Sequence, residues 1–98
     1  MKEIICCGDV VESLAGKDKG DVFLVLQNSG KRVIIVSGKS RKVCNPKSKN
    51  VKHVKKVCHS SLKGVADDIN NGTKVSNKRL CKLIKSVVKI NQEDKVCV

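Results

Sequence analysis

The sequence predicts a mainly β fold, in which a small all-β unit is followed by a C-terminal extension of one or two helices. Short β-branched segments alternate with glycine-bearing turns in the first half of the chain. In the second half the apolar residues recur at helical spacing instead. The chain has 98 residues, of which 40% are hydrophobic, enough for one modest core. We therefore expect one compact unit, with the β part over residues 1–59 and the helical part over 60–98.

The predicted strands are short apolar runs separated by turns. The run over 22–26 is apolar throughout, which predicts a strand buried on both faces or wrapped into a barrel. Gly30 lies in the turn over 28–31, where its freedom to adopt a positive φ favours a hairpin. Pro46, in a predicted loop over 45–50, ends the strand before it. Strands are expected at 10–14, 22–26, 32–37, 41–44 and 53–58, with a candidate lead-in at 4–7.

Two apolar stripes predict the C-terminal helices. Gly72 lies just beyond the first stripe, where a helix C-terminus typically places glycine. Ser76 is the expected N-cap of the second helix, and Val75 and Leu80 have the spacing of a hydrophobic staple. The stripes consist of Leu62, Val65, Ala66 and Ile69, and then of Leu80, Leu83, Ile84, Val87 and Val88.

The basic residues of the second helix fall mostly on the face opposite its apolar stripe; they are Lys78, Arg79, Lys82, Lys85 and Lys89. Lys78 and Arg79 in its first turn have the wrong sign for the helix dipole, which costs a few tenths of a kcal/mol each. Two interpretations stay open: the charges face an anion, or they reflect a lysine-rich composition. The apolar stripe of this helix is most simply a face that packs against the sheet.

The charge of the chain is strongly positive and unevenly placed. Lys and Arg number 21 and Asp and Glu 9, which gives a net charge of +12. The segment 22–66 contains eleven basic residues and no acid. Such a lopsidedly basic domain most often has a polyanion as its partner. Phe23 is the only aromatic residue, which excludes aromatic cages and RNA modules that stack bases on rows of aromatic side chains.

The six cysteines do not have the spacing of a disulfide scaffold or a zinc ribbon. Cys6 and Cys7 are adjacent, the others are scattered, and no Cys-x-x-Cys pair exists. A metal site drawn from Cys44, His53, Cys58 and His59 is disfavoured, so the cysteines are interpreted as small buried hydrophobes. The N-terminal apolar run ends after Cys7, too short for a signal peptide or a membrane span. We therefore expect a cytoplasmic protein with reduced thiols and without a membrane partner.

The segment 9–26 resembles a KOW motif, in which an apolar strand runs through a glycine-containing basic turn into a second apolar strand. Gly16 and Gly20 permit a tight turn and a close approach of the backbone to phosphate or sugar. Lys17 and Lys19 flank this approach with positive charge. Asp18 and Asp21 depart from the usual pattern, because they place negative charge at the same turn.

Further along, residues 33–41 and 46–54 resemble the large-subunit ribosomal protein family called L-fourteen-e, over roughly residues 7–57. A glycine-then-basic turn leads there into a Pro-Lys-x-Lys-Asn-x-Lys-His segment, with Pro46 and His53 at its ends. The resemblance implies a small SH3-like barrel that binds structured RNA, usually ribosomal RNA. The candidate RNA-binding residues are then Gly16, Lys17, Lys19, Gly20, Lys39, Arg41, Lys47, Lys49, Asn50, Lys52 and His53.

The leading hypothesis is thus a non-enzymatic binder of structured RNA, associated with the large ribosomal subunit or its assembly. The alternative is a KOW-type protein-docking module in a transcription or translation complex, with Leu24, Leu26 or the apolar stripe of the second helix as its contact face. An enzyme is not indicated, because no P-loop, dinucleotide fingerprint or catalytic triad order is present. No cofactor, metal or small-molecule substrate is expected.

Overall fold

The computed structural model describes residues 5–38, 42, 45–58 and 62–96, with side chains described as far as residue 88. Four of the five observed strands lie close to predicted positions, and the second half is helical as expected. The elements are β1 Val10–Ser13, β2 Val22–Asn28, β3 Arg32–Val36, β4 Lys47–Asn50, a 3-10 turn Val51–His53, β5 Val54–Cys58, α1 Lys63–Asn70 and α2 Asn77–Val96. The mainly β fold with a helical extension is therefore confirmed.

The five strands form one antiparallel sheet in the order β4-β3-β2-β1-β5. The outermost strands, β4 and β5, are joined only by the 3-10 turn. A chain of four peptide steps reaches at most about 14 Å, whereas the edges of a flat five-stranded sheet lie about 19 Å apart. The sheet must therefore curl into a barrel-like shape. Register shifts in β1 and β2 provide the bends, because an extra residue increases the local twist of a strand.

Both faces of the curled sheet are buried, each in its own apolar cluster. On β2, Phe23 and Val25 point into the barrel, whereas Leu24 and Leu26 point towards the helices. The four side chains are at most 4% exposed. Burying each apolar side chain of this size is worth about 1.5–3 kcal/mol. The prediction that the run 22–26 is buried on both faces is confirmed for residues 23–26, whereas Val22 is half-buried.

The two helices cover the apolar cluster that contains Leu24 and Leu26, which we call the outer core cluster. Leu80 and Ile84 of α2 are buried against the sheet, together with Ala66 of α1. Ser76 caps α2 as expected, because its hydroxyl accepts a hydrogen bond from the backbone N–H of Arg79 at 3.1 Å. In the part of the chain that the structure describes, no helix is long and apolar enough to cross a bilayer.

The start of α2 approaches the end of β3 so closely that only glycine fits there. Gly38 has a φ of +77°, and a Cβ at this position would overlap the backbone of Asn77. Any other residue would be strained by its backbone conformation and would push α2 away from the sheet.

Two predictions for the β part were wrong. Residues 47–50, expected in a loop, form β4 and pair with β3 from Arg32 to Ile35. Lys, Ser and Asn have low strand propensity, so this strand depends on its pairing partner rather than on its own side chains. Residues 5–8 do not form a lead-in strand: a turn lies at Cys7 and Gly8, and the Asp9 side chain accepts the backbone N–H of Cys6 at 2.7 Å. The strand predicted at 41–44 lies outside the described residues apart from Lys42.

Candidate nucleic-acid interface

Three basic turns from distant parts of the sequence are joined by backbone hydrogen bonds. The N–H of Leu14, at the start of the β1–β2 loop, donates to the carbonyl oxygen of His53 at 2.8 Å. The N–H of Val51 donates to the carbonyl oxygen of Lys31, in the β2–β3 hairpin, at 2.9 Å. The 3-10 turn therefore lies between the other two segments. We call residues 15–20, 29–32 and 51–53 together the basic rim.

Four lysines of the basic rim are exposed. Two lie in the β1–β2 loop, one in the hairpin and one in the 3-10 turn. None of the four forms an ion pair with any residue that the structure describes. The side chain of His53 is exposed beside them. The lysines are Lys17, Lys19, Lys31 and Lys52.

The carboxylate of Asp18, in the same loop, does not neutralise the exposed lysines, because it is buried and points into the protein. Its Oδ1 accepts hydrogen bonds from Lys49 Nζ at 2.6 Å and from the Ser13 hydroxyl at 2.7 Å. Its Oδ2 pairs with Lys47 Nζ at 3.0 Å. Burial by itself raises the pKa of the Asp18 carboxyl, but the bonds from Lys49, Ser13 and Lys47 outweigh it and hold the pKa well below its usual range.

The structure places the Lys49 ammonium in the interior, which corrects the expectation that this side chain faces RNA. Lys49 is 7% exposed, and its Nζ also donates to the carbonyl oxygen of Ala15 at 2.8 Å. A buried ammonium requires a charged partner, and Asp18 provides it. The ion pair therefore ties β4 to the β1–β2 loop and fixes the position of that part of the rim.

Two other predicted residues have structural contacts of their own. Lys47 is half-buried and held by Asp18, with 31% of its side chain exposed. The Asn50 side chain caps the 3-10 turn, because its Oδ1 accepts the N–H of Lys52 at 2.9 Å. These residues shape the rim, and their remaining exposed atoms lie beside it.

The two glycines of the β1–β2 loop have different surroundings. Gly16 and Gly20 have φ values of +87° and +92°, the left-handed region that favours glycine. A Cβ on Gly16 would lie 3.7 Å from Lys49 Nζ, an ordinary contact, whereas a Cβ on Gly20 would meet open space. Gly20 is thus the position where another molecule has free access to the loop backbone.

Acidic residues near the N-terminus form ion pairs with lysines of the acid-free segment 22–66. The acid-free segment 22–66 receives its counter-ions from the first 21 residues, because Asp9 also pairs with Lys56 at 3.3 Å. Asp9 is fully buried, and the side chain of Lys56 is 16% exposed. Together with the Asp18 pairs, this withdraws three lysines from the free positive surface. The charge that remains exposed is concentrated on the rim and on the helices.

Several residues that the sequence predicted as site residues lie outside the described part of the chain. Lys39 and Arg41 lie outside the described residues, as do Cys44 and His59 of the disfavoured metal site. Among the residues that are described, no three His, Cys, Asp or Glu side chains are grouped to hold a metal ion. Sequence reasoning missed Lys31 as a rim residue and Asp18 as an internal counter-ion. Only the hairpin turn hinted at the former, and no local signal reveals either contact.

The apolar surfaces considered for protein docking are internal. Leu24 and Leu26 are buried, and so are Leu80 and Ile84 of the apolar stripe of α2. Among the described residues, Leu14 is the single large apolar side chain that is exposed, at 43%. The described surface is therefore defined by charge and not by an apolar patch.

Neither a family model nor a curated protein matches the sequence.

Proposed function

We propose that this protein binds structured RNA through the basic rim, with ribosomal RNA as the expected target. The observation that carries the proposal is the set of four exposed lysines on three turns that hydrogen bonds join into one surface, none of them ion-paired with a described residue. Lysines arranged in this way neutralise phosphates and release condensed counter-ions. The resemblance to the L-fourteen-e family, drawn from the sequence, favours ribosomal RNA over other polyanions.

Folded RNA suits this surface better than an unpaired strand. Proteins that grip single strands stack bases on aromatic side chains, and here the only aromatic residue, Phe23, is completely buried. Recognition therefore rests on the phosphates and sugars of a folded RNA. In this proposal the lysines contact phosphates, His53 hydrogen-bonds to a 2′-hydroxyl or base edge, and Gly20 admits the RNA backbone close to the loop.

The Asp18–Lys49 pair has a supporting role in the proposal. It fixes the β1–β2 loop against β4, so that Lys17 and Lys19 are held in place before RNA arrives. A surface that is ordered in advance loses less conformational entropy on binding. Lys49 is thus a positioning residue rather than an RNA contact.

Salt dependence tests the proposal directly. Four phosphate contacts predict that the logarithm of affinity falls against the logarithm of salt with a slope of about −3.6 or steeper. Between about 50 and 200 mM salt, affinity for purified large-subunit ribosomal RNA should fall by about 150-fold or more. The double variant K17Q/K19Q should flatten the slope by about 1.8.

The matched control is K63Q/K74Q, which removes the same charge from exposed lysines outside the rim, at the start of α1 and between the two helices. Weak binding at both salt concentrations would contradict the proposal. A slope that K17Q/K19Q changes no more than the control would also contradict it. Tighter binding to polyuridylate than to the folded RNA would overturn the choice of structured RNA.

A further inference from the structure

We infer that the exposed face of α2 is a second phosphate-contacting surface, which binds another part of the same RNA. The inference rests on the proposed function, because it names a further contact of that ligand. The surface consists of Lys78, Arg79, Lys82 and Lys85, all of them exposed, and we call it the helix stripe.

The packing of α2 fixes the direction of the stripe. Leu80 and Ile84 are buried in the outer core cluster, and Val87 packs partly buried against the same cluster. Because these residues anchor one side of the helix to the sheet, the basic residues must project from the other side. From Lys78 to Lys85 the helix rises about 10 Å, so four cations share a short, rigid surface.

The helix stripe is unfavourable for a helix that merely faces solvent. Solvated helices usually alternate acidic and basic residues at spacings of three and four. Here the sequence has no acid from residue 69 to residue 92. Lys78 and Lys82 are like charges one turn apart, and Lys78 and Arg79 oppose the helix dipole. Phosphates bound at the stripe would relieve both kinds of repulsion.

α1 shows that this charge pattern belongs to α2 and not to the helical extension as a whole. Its exposed residues include Asp67 and Asp68 as well as Lys63. The two helices pack against the same side of the sheet, but α1 presents both acidic and basic side chains and α2 presents the basic helix stripe. Position in the fold alone therefore does not account for the stripe.

The helix stripe is near enough to the basic rim for one RNA to reach both. β5 begins directly after His53 of the rim and ends at Cys58, whose thiol lies 3.7 Å from the carbonyl oxygen of Val87 in α2. A five-residue strand spans about 14–17 Å. The two surfaces are thus separated by about one strand and part of a helix, a distance that several nucleotides of folded RNA cover.

The test compares three double variants that each remove two positive charges from the full-length chain. K78Q/K82Q alters the helix stripe, K17Q/K19Q alters the basic rim, and K63Q/K74Q is the control. Binding of each to large-subunit ribosomal RNA is measured across about 50–200 mM salt. We expect K78Q/K82Q to flatten the wild-type slope by about 1.8, as the rim variant does, and the control to leave the slope nearly unchanged.

The outcomes separate this inference from the function on which it rests. If only the rim variant flattens the slope, the helix stripe does not contact RNA, while the proposed function stands. If none of the variants changes the slope, or if the wild type does not bind, the proposed function fails first. If the control flattens the slope equally, binding follows net charge alone and the inference is overturned. Thermal unfolding of K78Q/K82Q should occur no lower than in the wild type, because the variant removes a repulsion.

Discussion

Replacing Asp18 by Asn should destabilise the protein strongly, although the change alters a single polar side chain in a surface loop. The substitution preserves the shape of the side chain but leaves the Lys49 ammonium, 7% exposed, without its charged partner at 2.6 Å. Breaking a buried ion pair by removing one partner costs about 3–5 kcal/mol. The lower end of this range is a large share of the roughly 5–15 kcal/mol that stabilises a domain of this size. It corresponds to a fall in melting temperature of about 12–24 °C.

The double variant D18N/K49M distinguishes this mechanism from a general disturbance of the loop. Once the ammonium is absent, the lost carboxylate no longer leaves a buried charge unpaired, so the double variant should be more stable than D18N alone. K47M is the matched control, because Lys47 pairs with the same carboxylate but 31% of its side chain is exposed. Its cost should stay within about 1 kcal/mol.

Urea unfolding followed by far-ultraviolet circular dichroism measures all of these free energies, since the chain has no tryptophan to report by fluorescence. The reasoning would be refuted if D18N lost less than about 1 kcal/mol, the range of a solvent-exposed pair. It would be refuted equally if D18N/K49M were no more stable than D18N.

Two further predictions concern the stability of the protein at low pH and the substitution of Gly38, which follows β3 and faces the start of α2. The pKa of Asp18 is lower in the folded than in the unfolded chain, where it is about 3.9, so its stabilisation is present above about pH 4 and is lost as the pH falls through the folded value. The urea midpoint of the wild type should therefore fall more steeply than that of D18N below about pH 4, and parallel curves would contradict the assignment. G38A should unfold at a clearly lower urea concentration than G20A, because the new Cβ would overlap the backbone of Asn77. At Gly20 the new Cβ meets open space, so only the positive φ is unfavourable, by about 1–3 kcal/mol. Equal losses would show that the approach of α2 to Gly38 does not limit the fold.

Periodicity in the sequence predicted the elements whose own side chains determine them. β2 follows from an uninterrupted apolar run, and α2 from a stripe that begins after the cap residue Ser76. In both, the information lies within one helix turn or a few strand residues. Local patterns of this kind reflect which face is buried, and the core of this protein is built from those faces.

β4 and the interior position of Lys49 could not be predicted in the same way. A Lys-Ser-Lys-Asn segment has the composition of a solvated loop, and it becomes a strand because β3 pairs with it. The counter-ion that makes Lys49 suitable for burial, Asp18, lies 31 residues earlier in the chain. The basic rim likewise depends on strand pairing, because the β3–β4 ladder continues past Arg32 and Asn50 and brings Lys31 beside the 3-10 turn.

Amide chemical-shift mapping by nuclear magnetic resonance, during titration with large-subunit ribosomal RNA, is the most direct test that the three basic turns form one ligand surface. The expected result is that residues 15–20, 29–32 and 51–53 shift together, with a common midpoint that moves to higher RNA concentration as salt is added. Shifts confined to one of the three turns, or different midpoints for them, would show separate contacts. Either result would contradict a single phosphate-binding rim.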